Sequence, residues 1–287
     1  MGCLNAGAGF KHWFANIHFS GQCNRNCFFC IGQWMQGQDM NNNLNEYPLK
    51  GYDKFISDVI ANDVREIYLT GTNTDPMLYK HLPALVGDLR AKAPKALIGI
   101  RTNGATILNN LDLWHLFDES CISITSFDKE IYKQTMGCGK PPNLEEIVKN
   151  TKHDLLKINI VITHKTTKDD ILNSVKVIAD AGVRKVNIRE PYGQSHVGNP
   201  LKDLEPISFV HGMPLYLIYG VEVCYWDVHF VEVESINLYA DGRISYDYSV
   251  TKGHSEKFGD VQPQEKFGQG RQAAQWLGTK SCQQPPL

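Results

Sequence analysis

The sequence predicts an α/β protein built on a parallel sheet. Between residues 13 and 190, short runs rich in Ile, Val, Leu and Tyr alternate with segments of helical periodicity. Small polar stretches follow several of the runs, as expected where parallel strands present their carboxyl ends.

The first run, Trp13 to Phe19, reads as a strand that ends at Ser20-Gly21. Further strands are predicted at Arg65 to Thr70, Leu97 to Arg101, Cys121 to Thr125, Ile158 to Thr163 and Lys185 to Arg189. Apolar residues spaced three and four apart predict amphipathic helices near Tyr52 to Ala61, Tyr79 to Ala91, Leu108 to Phe117, Leu144 to Asn150 and Asp169 to Ala181. Six such alternations imply right-handed crossovers, and their repeat length suits a partial (β/α)6 TIM-like barrel. An open doubly wound sheet is the alternative.

After Pro191 the pattern changes. A strand is predicted over Val221 to Phe230, and Ile236 to Tyr248 reads as a hairpin turning at Asp241-Gly242. We therefore expect a barrel core over residues 1–195 and a C-terminal α+β extension over 196–287 that shapes the substrate site.

Hydrophobic residues make up 42% and charged residues 21%, enough for a core and unlike a disordered chain. The formal net charge of -2 offers no basic field for phosphate backbones, so a nucleic-acid partner is not expected. Met1 to Phe10 lacks a charged and then apolar leader, and no stretch approaches the roughly 18 apolar residues of a membrane span. A soluble, cytoplasmic protein is expected. In a reducing compartment, clustered thiols point to metal rather than to disulfides.

Cys23, Cys27 and Cys30 are spaced C-x3-C-x2-C directly behind the first strand, while Cys3, Cys121, Cys138, Cys224 and Cys282 stand singly. Iron–sulfur cubanes ordinarily take four thiolates. Three leave one iron without a protein ligand, an open position of the kind a catalytic metal needs. Three thiolates with His12 or His18 would also describe a zinc knuckle.

The spacing, with Phe29 immediately before the third cysteine, resembles the signature of the radical S-adenosylmethionine superfamily, in the form of a molybdenum-cofactor-synthase-A-like core without auxiliary-cluster cysteines. The resemblance implies a [4Fe-4S] cluster on Cys23, Cys27 and Cys30, whose fourth iron is chelated by S-adenosyl-L-methionine. It also implies reductive cleavage to a 5'-deoxyadenosyl radical, with a one-electron reductant such as flavodoxin or ferredoxin as partner.

Other stretches extend the resemblance. Thr70-Gly71-Thr72-Asn73-Thr74-Asp75-Pro76 resembles the loop that holds the methionine amino group, with Thr72 in place of its second glycine and Asn73 in place of its glutamate. Thr102-Asn103-Gly104 is similar to a run that follows the third strand in that superfamily, and Ser123 and Thr125 match its ribose-contacting strand end. Read from the residues alone, these stretches are equally ordinary turns and self-satisfied hydroxyls. Arg189 is a candidate carboxylate or phosphate grip with Glu190 orienting it, or half of a structural pair.

The expected activity is hydrogen abstraction from a small or nucleotide-like substrate. Nucleoside, tRNA or peptide modification, or a non-catalytic iron–sulfur or zinc protein, are the rivals.

Overall fold

The structure is a computed structural model, and it describes residues 13–33, 41–191, 197–227 and 234–246. Six parallel strands form as expected: β1 (Trp13–Phe19), β2 (Glu66–Gly71), β3 (Leu97–Thr102), β4 (Glu119–Ile124), β5 (Leu156–Val161) and β6 (Lys185–Arg189). Between them lie α1 (Tyr52–Ala61), α2 (Leu82–Lys92), the single turn α3 (Leu111–Trp114), α4 (Lys129–Met136), α5 (Leu144–Asn150) and α6 (Lys168–Asp180).

Local chemistry sets the helix bounds. In α1, Tyr52, Phe55, Ile56 and Val59 are buried at three and four spacing. In α6, Thr167 and Asp170 form a reciprocal capping box. The helix expected over Leu108 to Phe117 is broken in two, because Asn110 leaves the helical region between a 3₁₀ turn at Ile107–Asn109 and α3.

Helix α4 escapes the periodicity reading. Only Tyr132 and Met136 are buried within it, and its start is set by the Asp128 carboxylate, which accepts from the Glu130 and Ile131 N–H groups.

Described residues between 208 and 245 add five strands to the same sheet. Strands β7 (Ser208–Val210), β8 (Met213–Ile218) and β9 (Val221–Trp226) form a meander, and β10 (Glu234–Leu238) and β11 (Ile244–Ser245) form the expected hairpin. The two meander turns are His211-Gly212 and Tyr219-Gly220, with both residues of each at positive φ. That is the geometry that matches strand twist in a two-residue turn.

The sheet order is β11-β10-β1-β2-β3-β4-β5-β6-β9-β8-β7, with β10 parallel to β1 and β9 parallel to β6. The parallel run is thus longer than the six strands expected, lengthened at both ends by the later part of the chain. Asp227, past the carboxyl end of β9, is seven residues before Glu234, the start of β10. Seven residues reach at most about 25 Å, so the two ends of the run must curl toward each other. Among the described residues the sheet is not closed.

One face of the sheet packs on the helices through Ile17, Leu69, Ile100, Ile122, Ile158 and Ile188. Register then puts Asn16, Tyr68, Arg101, Cys121, Asn159 and Arg189 on the other, inner side. A barrel interior filled for stability alone is lined by branched aliphatics. This one is polar. Among the described residues, no helix is long and apolar enough to cross a membrane.

Candidate functional site

The three clustered cysteines lie in the loop after β1, at the carboxyl edge of the sheet. The end of α4 holds this loop in place. Asn26 N–H donates to the Met136 carbonyl at 3.0 Å, Phe28 N–H donates to the Thr135 carbonyl at 3.3 Å, and the Cys27 sulfur lies 3.6 Å from that of Met136. Such close approach requires glycine at position 137. Its φ is +79°, and a Cβ there would lie 2.2 Å from the Asn26 carbonyl oxygen.

Burial raises all three thiol pKa values. Cys23 is pushed up to about 12, by burial first and then by the Asp75 charge. Cys27 rises through burial and then the charges of Cys30 and Cys23, and Cys30 rises through burial. Arg25 acts in the opposite direction on Cys23 and Cys27. Its guanidinium donates to the Asn24 carbonyl at 2.8 Å and to the Tyr132 hydroxyl at 3.2 Å. Three thiolates this close together would be costly, and a cationic centre that draws off the thiol protons is what makes them stable. The donor set therefore fits a metal cluster.

Among the described residues, no three of His, Cys, Asp and Glu are placed to hold one metal ion. Cluster thiolates ligate different irons and need not converge on a point. His18 Nε2 lies 3.1 Å from Asn237 Oδ1, and its ring stacks on Tyr239 at 4.9 Å. His12 lies outside the described residues.

The loop after β2 meets the cysteine loop from the other side. Gly71 ends the strand opposite Phe19, and a Cβ on it would lie 1.8 Å from the Thr74 carbonyl oxygen. Thr72 donates its hydroxyl to the Phe19 carbonyl at 3.0 Å, and its own carbonyl lies 3.7 Å from the Cys30 sulfur. Asn73 Oδ1 accepts the Gly21 N–H at 2.9 Å.

Asp75 is 2% exposed and accepts from the Thr102 hydroxyl at 2.9 Å, the Asn103 N–H at 2.7 Å and the Met77 N–H at 3.0 Å. Burial raises its pKa and these donors hold it down, with burial the larger effect. Asn103 then donates to Asn24 Oδ1 at 2.7 Å, which joins the loops after β1, β2 and β3.

The remaining expected residues are spread around this junction. Phe29 is half-buried against the core. Ser123 pairs with Asn159 on the inner face, whereas the Thr125 hydroxyl meets that of Thr135 on α4. Arg189 ends β6 beside Val161 and Trp226. Glu190 takes the Tyr225 hydroxyl and the Val197 and Gly198 N–H groups. Burial raises the pKa of the Cys121 thiol on the inner face, with Lys157, Arg101 and Arg189 acting against it and the Glu119 carboxylate with it.

Sequence reasoning missed Asn24, Arg25, Tyr132 and Met136. The first two lie inside the cysteine spacing and were open to inspection, whereas nothing in the sequence signals that Tyr132 and Met136, more than a hundred residues on, would close against them.

No protein-family profile matches the sequence, and no curated protein does so either. Solved structures do. Streptococcus suis SuiB bound to S-adenosylmethionine superposes with a TM-score of 0.50 at 18% identity, over 66% of this chain and 42% of that one. SuiB bound to its precursor peptide SuiA gives 0.50 at 17% identity, over 63% and 40%. The chain shares its fold with SuiB. Coproporphyrinogen III oxidase HemN of Escherichia coli, a radical SAM enzyme, scores 0.45 at 14% identity over 65% of this chain and 46% of its own. The chain spans about four-tenths of the SuiB chain it matches.

Proposed function

We propose that this protein is a radical S-adenosylmethionine enzyme. The observation that carries the reading is the three-thiol loop at the carboxyl end of β1, on a fold shared with a protein that binds S-adenosylmethionine. Cys23, Cys27 and Cys30 would hold a [4Fe-4S] cluster, which supplies the electron that cleaves the bound cofactor to a hydrogen-abstracting 5'-deoxyadenosyl radical.

The chain's own residues position and shield that site. The Thr72 carbonyl beside Cys30 and the half-buried Phe29 within the cysteine loop are assigned to cofactor contact. Gly71 lets the second loop fold back on itself, and Asn73 ties that loop to Gly21. Asp75, Thr102 and Asn103 hold the loops in register, and Thr125 braces α4. Ser123 and Arg189 lie deeper along the inner face and are assigned to the substrate.

A polar inner face that carries Asn16, Arg101, Asn159 and Arg189 supports a small or nucleotide-like polar substrate over an apolar one. A flavodoxin or ferredoxin is the expected reductant, and the compartment we assign is the cytoplasm.

Anaerobic reconstitution is expected to load about four irons per chain. Reduction in the presence of S-adenosylmethionine should then release 5'-deoxyadenosine. Stoichiometric zinc, or a cluster whose spectrum ignores S-adenosylmethionine, would overturn the reading in favour of a non-catalytic metal protein.

Arg25→Gln removes the cation that acts on Cys23 and Cys27. A positive charge stabilises the reduced cluster, so the variant should be harder to reduce by about tenfold, which is ~59 mV for one electron. An EPR-monitored redox titration checks this.

A further inference from the structure

The inner face carries a buried polar chain whose donors and acceptors can be assigned in sequence. Arg101 is a donor only, and it gives a hydrogen bond to Asn16 Oδ1 at 3.0 Å. The other end of the Asn16 amide is therefore Nδ2, which donates to Asn237 Oδ1 at 2.7 Å. His18 Nε2 meets the same oxygen at 3.1 Å and must carry the proton there. Burial, the largest influence, lowers the His18 pKa to about 4, so the ring is neutral. Its Nδ1 is then a bare lone pair, buried and without a partner.

Location tells what this lone pair serves. His18 stands opposite Thr70, the residue that leads into the Gly71–Asp75 loop. Tyr239, stacked on its ring, packs against Ile31, which directly follows Cys30. The Asp75 carboxylate and Asn73 Oδ1 already accept from protein N–H and O–H groups. A buried acceptor left without a donor is costly, and in a native structure such a group calls for a partner from a ligand, an ion or water.

We propose that His18 Nδ1 accepts a hydrogen bond from an amino or hydroxyl group of S-adenosylmethionine. This rests on the function proposed above. The substrate is the other source of such a donor, and titration with S-adenosylmethionine alone separates the two.

The test uses reconstituted protein of matched iron content, with cofactor affinity read by equilibrium dialysis under anaerobic conditions. His18→Gln reaches Asn237 as Nε2 does but leaves nothing at the Nδ1 position, and His18→Phe keeps the ring stack with no lone pair. Both are expected to weaken affinity about tenfold, the worth of one such bond. His18→Asn puts a carbonyl oxygen at the Nδ1 position and gives up Asn237, and is expected to stay within about twofold of the wild type.

Equal loss in the Asn and Gln variants would make His18 structural. Unchanged affinity in all three would assign the lone pair to substrate or water. Either result overturns the proposal. Wild-type protein that holds its irons but does not bind S-adenosylmethionine would instead refute the proposed function itself.

Discussion

Cys27→Ala is expected to abolish both iron loading and release of 5'-deoxyadenosine. The middle cysteine is the most deeply set of the three thiols, pressed between the charges of Cys23 and Cys30 and against the Met136 sulfur. Two remaining thiolates cannot hold a cubane that ordinarily takes four ligands and here has three. The fold should survive, because losing one small buried sulfur costs on the order of 1 kcal/mol. Cys121→Ala is the matched control: it also removes a buried thiol, but from the inner face of β4. It should keep its irons. Iron content and the circular dichroism melting curve, measured on both variants, distinguish loss of ligation from loss of fold.

Asp75→Ala should be the most destabilising substitution in the site. It strands the Thr102 hydroxyl and the Asn103 and Met77 N–H groups as buried donors without an acceptor. Each such group costs about 1–3 kcal/mol, so a loss of about 3–5 kcal/mol is expected, less what water recovers. Asp75→Asn keeps one oxygen as an acceptor and should cost roughly half as much.

Asp75 is thus expected to influence cofactor binding through loop geometry rather than by touching the cofactor. Urea unfolding of both variants, set beside their S-adenosylmethionine affinities, checks this. An Asp75→Asn protein of wild-type stability that fails to bind the cofactor would show direct contact instead.

The barrel core was legible because each parallel strand is buried on its helix side and so carries mostly apolar residues at alternate positions. Ile17, Leu69, Ile100, Ile122, Ile158 and Ile188 are that signal. The hairpin at Asp241-Gly242 was legible too, since Gly242 takes the positive φ such a turn needs. The turns at His211-Gly212 and Tyr219-Gly220 belong to the same class and were missed, because neither shows the Asn-Gly or Asp-Gly pair that marks most two-residue turns. Helix α4 was missed because two buried residues make too weak a stripe.

By itself the sequence determined the chemistry on offer: three thiols within eight residues, a spacing that survives any folding of the remainder. It also determined the repeating α/β architecture, because periodicity is a local property of the chain. Only the tertiary structure decided what surrounds the thiols.

The clamp of α4 on the cysteine loop, the locking of Asp75 by Thr102 and Asn103, and the joining of β10 to β1 all link residues far apart in the chain. So does the relay from Arg101 through Asn16 and Asn237 to His18. Hydrogen bonds across such separations leave no periodic trace in a sequence. The direction of a buried lone pair becomes known only once every neighbouring donor has been placed.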